Sequence, residues 1–375
     1  MSAALAEREN KSALGTIYWS TADDENDLLA NSDAEEGTVK DEKDEFQGGF
    51  STLDSMLQWA VGHSDPEKLK GTAQDIQRMS ASELAKRQQE IKELMEKMKM
   101  PSDAELMKIA IAGLNNASIS LDECLRALNE LLILVEPIDN ANDLNKLGGL
   151  DAVIQQLNSS EPEIRTTSAW VLGKASQNNP VVQNQILELG ALVKLMKMVK
   201  SSFTEEAIKA LYAVSAIISN NVDGQDVFLA ESGFLMLQDI MSNSSKDIRL
   251  LRKSVFLVTD LADYHLQNTN LQVHPFFGNH QFLKSVVDLI SSADLDLQEK
   301  ALLATKSLLQ LTTTEALVFK DYCDLGGALA KMRKQLERLI AEEHQGDFAK
   351  DMEALRKEVE YVYHEKLEEA SWVPT

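Results

Sequence analysis

From about residue 106 the chain alternates short apolar runs with longer ones in a helical rhythm. Leu192-Val193-Lys194-Leu195-Met196-Lys197-Met198-Val199 predicts a short helix, and Lys200-Ser201-Ser202 a polar turn after it. A longer helix over Glu205–Ser219 follows, carrying Ala207, Ala210, Leu211, Val214, Ile217 and Ile218 on its inner side. Further upstream, Leu53, Met56, Leu57 and Ala60 share one helical face, and a second helix is expected over Ser82–Met98. Pro101 stops that helix, and Ser102 with Glu105 forms a capping box that satisfies free backbone N–H groups at the next helix start. Ser120…Glu123 and Ser160…Glu163 predict the same device at two of the longer helices, with Pro162 tolerated in a first turn.

The pattern repeats. Gly148-Gly149-Leu150, Gly190-Ala191-Leu192 and Gly233-Phe234-Leu235 each open a short apolar helix, at steps of 42 and 43 residues. Gly326-Gly327-Ala328-Leu329 does so again, and Gln281-Phe282-Leu283 holds the intervening place without a glycine. A second landmark in the longer helices, at Ala127, Ala169, Ala210, Ser254 and Ala301, steps by 42, 41, 44 and 47 residues. Two independent landmarks at one period of this size predict an all-α armadillo/HEAT-like solenoid. The glycines allow a sharp turn where a Cβ would clash, and no unit can bury both faces, so neighbours must stack. Tyr264 to His280, with His265, His274, Pro275 and Gly278, reads as a loop inserted in the fourth unit. Asp347–Leu367 sets Phe348, Met352, Leu355, Val359 and Val362 on one stripe and predicts a C-terminal capping helix.

Residues 1–50 break this picture. They hold 13 acidic and 4 basic residues and no helical stripe, which predicts a disordered acidic arm. The expected organisation is then an arm over 1–50, an N-terminal helical segment over 51–105, repeats over 106–340, and a capping helix and tail over 341–375. The net charge of −23 argues against nucleic acid and anionic membranes as partners. Few aromatics (6%) and ample aliphatics suit packed helices. Cys124 and Cys323 sit in apolar patterns and are expected as buried free thiols. No apolar run reaches membrane-span length and the first residues carry no secretory signal, which read literally points to the cytoplasm.

Catalytic signatures are missing: no phosphate loop, no nucleophile elbow, no dinucleotide turn and no H-E-x-x-H. His274 and His280 lack a third ligand. The chain is therefore read as a non-enzyme with no cofactor and no metal, monomeric, gripping a protein. Asn10-Lys11-Ser12, Asn116-Ala117-Ser118, Asn158-Ser159-Ser160 and Asn243-Ser244-Ser245 match the N-glycosylation pattern, which composition alone also produces. Polar residues recur where the longer helices end: Glu136 to Asn142, Gln177 to Pro180, and Ser219 to Asn221. They are candidates for partner contact, against capping of helix ends. Arg252 and Lys253 break an apolar run and suit an acidic partner surface, or a plain solvated face. Only Trp170 is available for the Trp and Asn ladder with which importin-type grooves hold basic peptides.

Met56-Leu57-Gln58-Trp59-Ala60-Val61-Gly62-His63-Ser64-Asp65 and Val135-Glu136-Pro137-Ile138-Asp139-Asn140-Ala141-Asn142-Asp143-Leu144 carry a family resemblance. Gly148-Gly149-Leu150 and Ala175-Ser176-Gln177-Asn178-Asn179-Pro180 follow at matching spacing. The chain resembles the armadillo-type nucleotide-exchange factors of heat-shock protein 70, the Hsp-binding-protein/Fes group with its lumenal Sil relatives. That resemblance implies a concave face clasping one lobe of the chaperone's nucleotide-binding domain, so that the cleft opens and ADP leaves. It places Ala141 and Arg252 at the binding face, within a candidate set of Glu136, Asp139, Ala141, Asn142, Asn178, Asn179, Arg252 and Lys253. It also leaves two compartments open, cytoplasm and endoplasmic reticulum lumen. The alternative is a passive armadillo scaffold or adaptor without exchange activity. Because residues 1–50 cannot bury apolar surface, their deletion is expected to leave the thermal unfolding midpoint nearly unchanged; a large drop in a calorimetric scan would show that they pack on the repeats.

Overall fold

The computed structural model describes residues 101–268, 270, 273–341 and 346–371, with Lys86, Gln89 and Glu90 as isolated helical positions. The acidic arm, the helices expected over Leu53–Ala60 and Ser82–Met98, and the Met56–Asp65 motif otherwise lie outside the described residues. The chain divides into two compact units, Met1–Met100 and Pro101–Thr375, and the helices below belong to the second.

Every regular element among the described residues is helical. A helix pair opens the array, α1 (Asp103–Leu114) and α2 (Leu121–Leu134). Three-helix units follow: α3 (Ile138–Lys146), α4 (Gly149–Gln156) and α5 (Pro162–Ser176), then α6 (Pro180–Glu188), α7 (Ala191–Met198) and α8 (Thr204–Ile218). The fourth unit is α9 (Val222–Ala230), α10 (Gly233–Met241) and α11 (Ile248–Gln267). A 3-10 turn at Pro275–Gly278, α12 (His280–Val287), a second 3-10 turn at Asp288–Ser291 and α13 (Leu295–Gln310) make the fifth. A π turn at Val318–Tyr322, α14 (Leu325–Ile340) and α15 (Gly346–Ser371) close the array. The long third helices α2, α5, α8, α11 and α13 pack side by side, and α15 extends that layer against α13 and α14. All residues of α8 from Glu206 to Ile218 are buried. None of the described helices is long and apolar enough to cross a membrane.

Local chemistry explains where the helices start. Both halves of the capping box form at α1 (Ser102, Glu105) and at α2 (Ser120, Glu123). The box expected at Ser160…Glu163 does not form. Pro162 takes the first helical position, so Glu161 stands at the cap, and its side chain makes no capping hydrogen bond. Arg165 instead ties that turn, donating from Nη1 to the carbonyls of Ser159 and Ser160 at 2.9 Å each.

Short second helices begin after a left-handed residue. Gly148 (φ 77°) and Gly190 (φ 66°) fill that role, as the spacing predicts. In the next unit the left-handed residue is Ser232 (φ 62°), not Gly233, so the even step of 42 residues runs 148, 190, 232. Gly233 is needed for a different reason: a Cβ there would lie 2.4 Å from the Phe228 ring. Ahead of α14 the left-handed residue is Asp324 (φ 52°) rather than a glycine.

Two further expectations change. Tyr264 and His265 are still helical in the last turns of α11, because the apolar stripe continues through Leu261 and Ala262. The inserted segment therefore starts later and folds onto an aromatic cluster. Phe234 lies 4.9 Å from Phe276, 4.9 Å from Phe277 and 5.4 Å from Phe282 between ring centroids. On α15, Phe348 is 41% exposed, while Ala349, Met352, Val359 and Tyr363 form the buried stripe. Arg356 is buried in that stripe and held by Glu353 (2.7 Å) and Glu360 (3.0 Å). A buried guanidinium is tolerated only when paired in this way. Cys124 and Cys323 are buried free thiols, and burial pushes the Cys323 thiol up to about 11.

A close approach of α5 to α8 sets the first fold prediction. A Cβ on Gly173 of α5 would fall 2.5 Å from the Tyr212 ring and 3.1 Å from Ala213 Cα of α8. Gly173→Leu is expected to cost about 1–3 kcal/mol by forcing these helices apart, read as a lower urea midpoint. The second concerns pH. Burial, and then the charge of His274, hold the His265 imidazole below its ordinary value, and its ring packs 5.6 Å from Phe277. A depressed imidazole contributes stability above the unfolded value of about 6.5 and loses it as pH falls through that range. The melting temperature should drop between pH 7.5 and pH 5.5, and His265→Phe should shrink that drop.

Candidate partner-binding surface

The polar residues at the ends of the third helices serve the fold first. Asn178 (φ 48°) and Asn220 (φ 53°) take left-handed turns that send the chain into α6 and α9. Asn179 is buried and caps α6 by accepting from the Val182 N–H, and Asn221 caps α9 by accepting from the Gly224 N–H at 2.8 Å. Such caps are worth about 1 kcal/mol each. Asn221 also donates to Gln183 Oε1 (3.2 Å) and Asn184 Oδ1 (2.8 Å), and Gln183 donates to the Ala216 carbonyl (2.8 Å). Of the two candidates here, Asn178 is exposed and Asn179 is internal.

The first of these turns behaves similarly. Glu136 is exposed and pairs with Lys174 of the next unit at 2.5 Å. Asp139 is exposed, and Asn142 is half-buried with an Oδ1 that finds no hydrogen-bond partner among the described residues. Ala141 is only 2% exposed, so it is a packing residue of α3 and not a presented one. Position 141 lies one turn before Leu144 on the same inward face.

Arg252 acts as a clamp. Its guanidinium makes a bidentate pair with Asp294 (3.1 and 2.7 Å) and reaches Asp296 at 2.9 Å, tying α11 to α13. Burial pushes the Asp294 carboxyl up, but hydrogen bonds from Arg252 and the Leu297 N–H outweigh it and hold it below the usual range. Two similar clamps stand beside it. Arg165 of α5 holds buried Glu206 of α8 through two bonds of 2.7 Å, and Arg249 of α11 reaches Glu205 of α8 at 2.6 Å. These carboxylates follow or precede their arginines by 41 to 44 residues, one repeat length, which is the signal that could have revealed them.

In the middle of the helix layer, lysines lie over aromatic rings of the neighbouring helix. Lys209 Nζ lies 3.2 Å from the centre of the Trp170 ring, and Lys253 Nζ lies 5.0 Å from the centre of the Tyr212 ring. Both are ammonium-over-ring contacts between successive third helices. Trp170 and Tyr212 are 42 residues apart and Lys209 and Lys253 are 44 apart, so the rung repeats with the array. Lys209 and Tyr212 are buried, whereas Trp170 and Lys253 are partly exposed. Farther along α11, Asp263 is half-buried and burial raises its carboxyl, only partly offset by a Ser307 hydrogen bond. The starts of the third helices thus carry paired arginines and carboxylates, and Asp263 lies toward the end of α11. Glu136, Asp139 and Asn178 gather along the edge where third helices end, while Arg252 and Lys253 sit near the start of α11; the structure does not bring the two groups together. Among the described residues no group of three or more His, Cys, Asp or Glu side chains is placed to hold a metal ion.

Comparison with known proteins places this architecture. A designed armadillo repeat protein in complex with the peptide (KR)4 has a TM-score of 0.52 at 16% identity, covering 68% of this chain and 99% of that one. A computationally designed armadillo repeat protein for modular peptide recognition gives 0.52, also at 16% identity. At such identity the likeness is one of fold alone. The Hsp70 nucleotide exchange factor FES1 of Coccidioides immitis is 32% identical over 177 residues, which is 47% of this chain and 82% of that one. The nucleotide exchange factor SIL1 of Xenopus laevis is 30% identical over 259 residues, 64% of this chain and 56% of that one. The chain therefore spans about four fifths of the FES1 relative and about half the length of the SIL1 relative. The model of nucleotide exchange factor Fes1 matches residues 53–144. The model of the SIL1/FES1/HPBP1 C-terminal domain matches residues 140–365, nearly the whole helical array, and the chain belongs to that family.

Proposed function

We propose that this chain is a nucleotide exchange co-chaperone of Hsp70, which docks the nucleotide-binding domain of its partner on the layer of third helices. It acts as a monomer and catalyses no covalent step. The observation that carries this reading is family membership over residues 140–365, with relatives named Hsp70 nucleotide exchange factor and nucleotide exchange factor.

The mechanism needs no catalytic group. A binder shifts a conformational equilibrium only by its differential affinity for the two states. A rigid helical layer that fits one lobe of the nucleotide-binding domain in its open form favours that form, and ADP is held less tightly there. Linkage makes the effect reciprocal: ADP weakens binding of this chain by the same factor by which the chain weakens binding of ADP. In this reading Trp170 and Lys253 supply the central contact, an aromatic surface beside a cation. Glu136, Asp139, Asn142 and Asn178 line the edge where the third helices end. Asn179 and Ala141 act from inside, by holding α6 and α3 in place, and Arg252 acts by fixing α11 against α13.

Stopped-flow release of a fluorescent ADP from cytosolic and lumenal Hsp70 tests the reading. Acceleration of at least one chaperone is expected, and none with either would refute it. Lys253→Glu should weaken chaperone binding about tenfold, as loss of a central contact does, with unchanged helicity. Unaltered affinity would move the docking face elsewhere.

A further inference from the structure

Three of the Asn-x-Ser triplets fall at the same place in three different repeats. Asn116, Asn158 and Asn243 lie in the turns that join second to third helices, between α1 and α2, α4 and α5, and α10 and α11. They precede the first residue of the third helix (Leu121, Pro162 and Ile248) by five, four and five positions. All three asparagines are exposed. In the turn between α7 and α8, Lys200 stands four positions before Thr204, and the connection from α12 to α13 carries no such triplet.

Turn chemistry explains an asparagine in such a place but not the whole triplet. Asn116 Oδ1 accepts from the Ser118 N–H at 3.0 Å, and Asn243 Oδ1 accepts from the Ser245 N–H at 3.0 Å and the Ser245 hydroxyl at 2.6 Å. Asn158 is used differently: its Nδ2 donates to the Gln155 carbonyl at 3.2 Å, and Ser160 donates to Glu161. The local role changes between repeats, while exposure, position and a hydroxyl residue two places on do not. At Asn116 and Asn243 the side-chain oxygen is the bonded atom, so no hydrogen bond of these turns occupies Nδ2.

We propose that Asn116, Asn158 and Asn243 carry N-linked oligosaccharides, so that one long edge of the solenoid is clothed in sugar and the chain passes through the secretory lumen. In each transfer a bond forms between Asn Nδ2 and C1 of the sugar as the C1–O bond to a lipid-pyrophosphate donor breaks. The lipid pyrophosphate departs with the electron pair, and the amide proton passes to a base of the transferase. The sugars would not obstruct the opposite edge. A third helix such as α5, with 15 residues, is about 22 Å long, and Asn158 and Asn178 lie beyond its two ends. The proposal stands apart from the exchange reading, because occupancy and ADP release are measured separately.

The test uses the full chain purified from its own cells, treated with peptide N-glycosidase F in heavy-oxygen water and mapped by mass spectrometry. Conversion of asparagine to oxygen-labelled aspartate is expected at two or three of positions 116, 158 and 243. Asn116→Gln, Asn158→Gln and Asn243→Gln should each remove one step of gel mobility. Ser118→Ala should act like Asn116→Gln, and Ser118→Thr should keep the sugar. Unmodified asparagine at all three positions, occupancy of one alone, or sugar confined to Asn10 overturns the proposal. The mapping of the unaltered chain decides it even if a variant fails to fold.

Discussion

A unit of three short helices has too little interior to cover its own apolar faces, so each repeat is stable only when the next one lies against it. Most other features of this array follow from that dependence. Second helices such as α7 bury Leu192, Leu195 and Met196 beneath the third-helix layer, and that layer closes through contacts as near as Gly173 against Tyr212. The last repeat has no successor. α15 supplies the missing cover with Ala349, Met352, Val359 and Tyr363, and encloses a guanidinium to complete it. The same dependence gives a purpose to the polar groups that cross from one unit to the next. Arg165, Arg249 and Arg252 each reach a carboxylate about one repeat away, and Asn221 and Gln183 bridge α6 to α8 and α9.

This distribution reconciles two facts about charge. The chain is strongly acidic, at −23, yet its central helices carry cations in contact with aromatic rings and carboxylates. Arginine clamps consume acidic residues near the starts of the third helices, so the acidity shows mainly elsewhere. In the proposed reading, the layer that these clamps tie together is the surface against which a partner's lobe would be held. Exchange by differential binding requires stiffness in the binder, because a compliant face would follow both states of the partner equally.

The repeat period, the all-helical class, two capping boxes and the turn glycines at 148 and 190 were legible because they rest on local chemistry and period. The Ser160 box was misread because Pro162 moves the helix start, and Gly233 because its role is to clear the Phe228 ring, a contact that sequence spacing does not display. Ala141 was readable as a motif residue but not as a buried one, since inward and outward faces of a nine-residue helix differ by a single position. The lysine-over-ring contacts are not legible as a tryptophan ladder, because Tyr212 fills the place one repeat after Trp170. Arg252 looked like a bare surface cation because its partner, Asp294, lies a full repeat downstream.

The left-handed residue that recurs at 148, 190 and 232 has a consequence for how such a chain can change in length. Each of these junctions presents the same backbone geometry at the same phase of the repeat. A segment of 42 residues between two neighbouring junctions has matching ends, the geometry that removal or duplication of a whole unit needs. Past Ser232 this stops, since α11 is longer, the segment after it is inserted, and the next left-handed residue is Asp324. Matching ends for whole-unit gain or loss thus lie in the N-terminal half of the array, and the described residues past Ser232 do not repeat them.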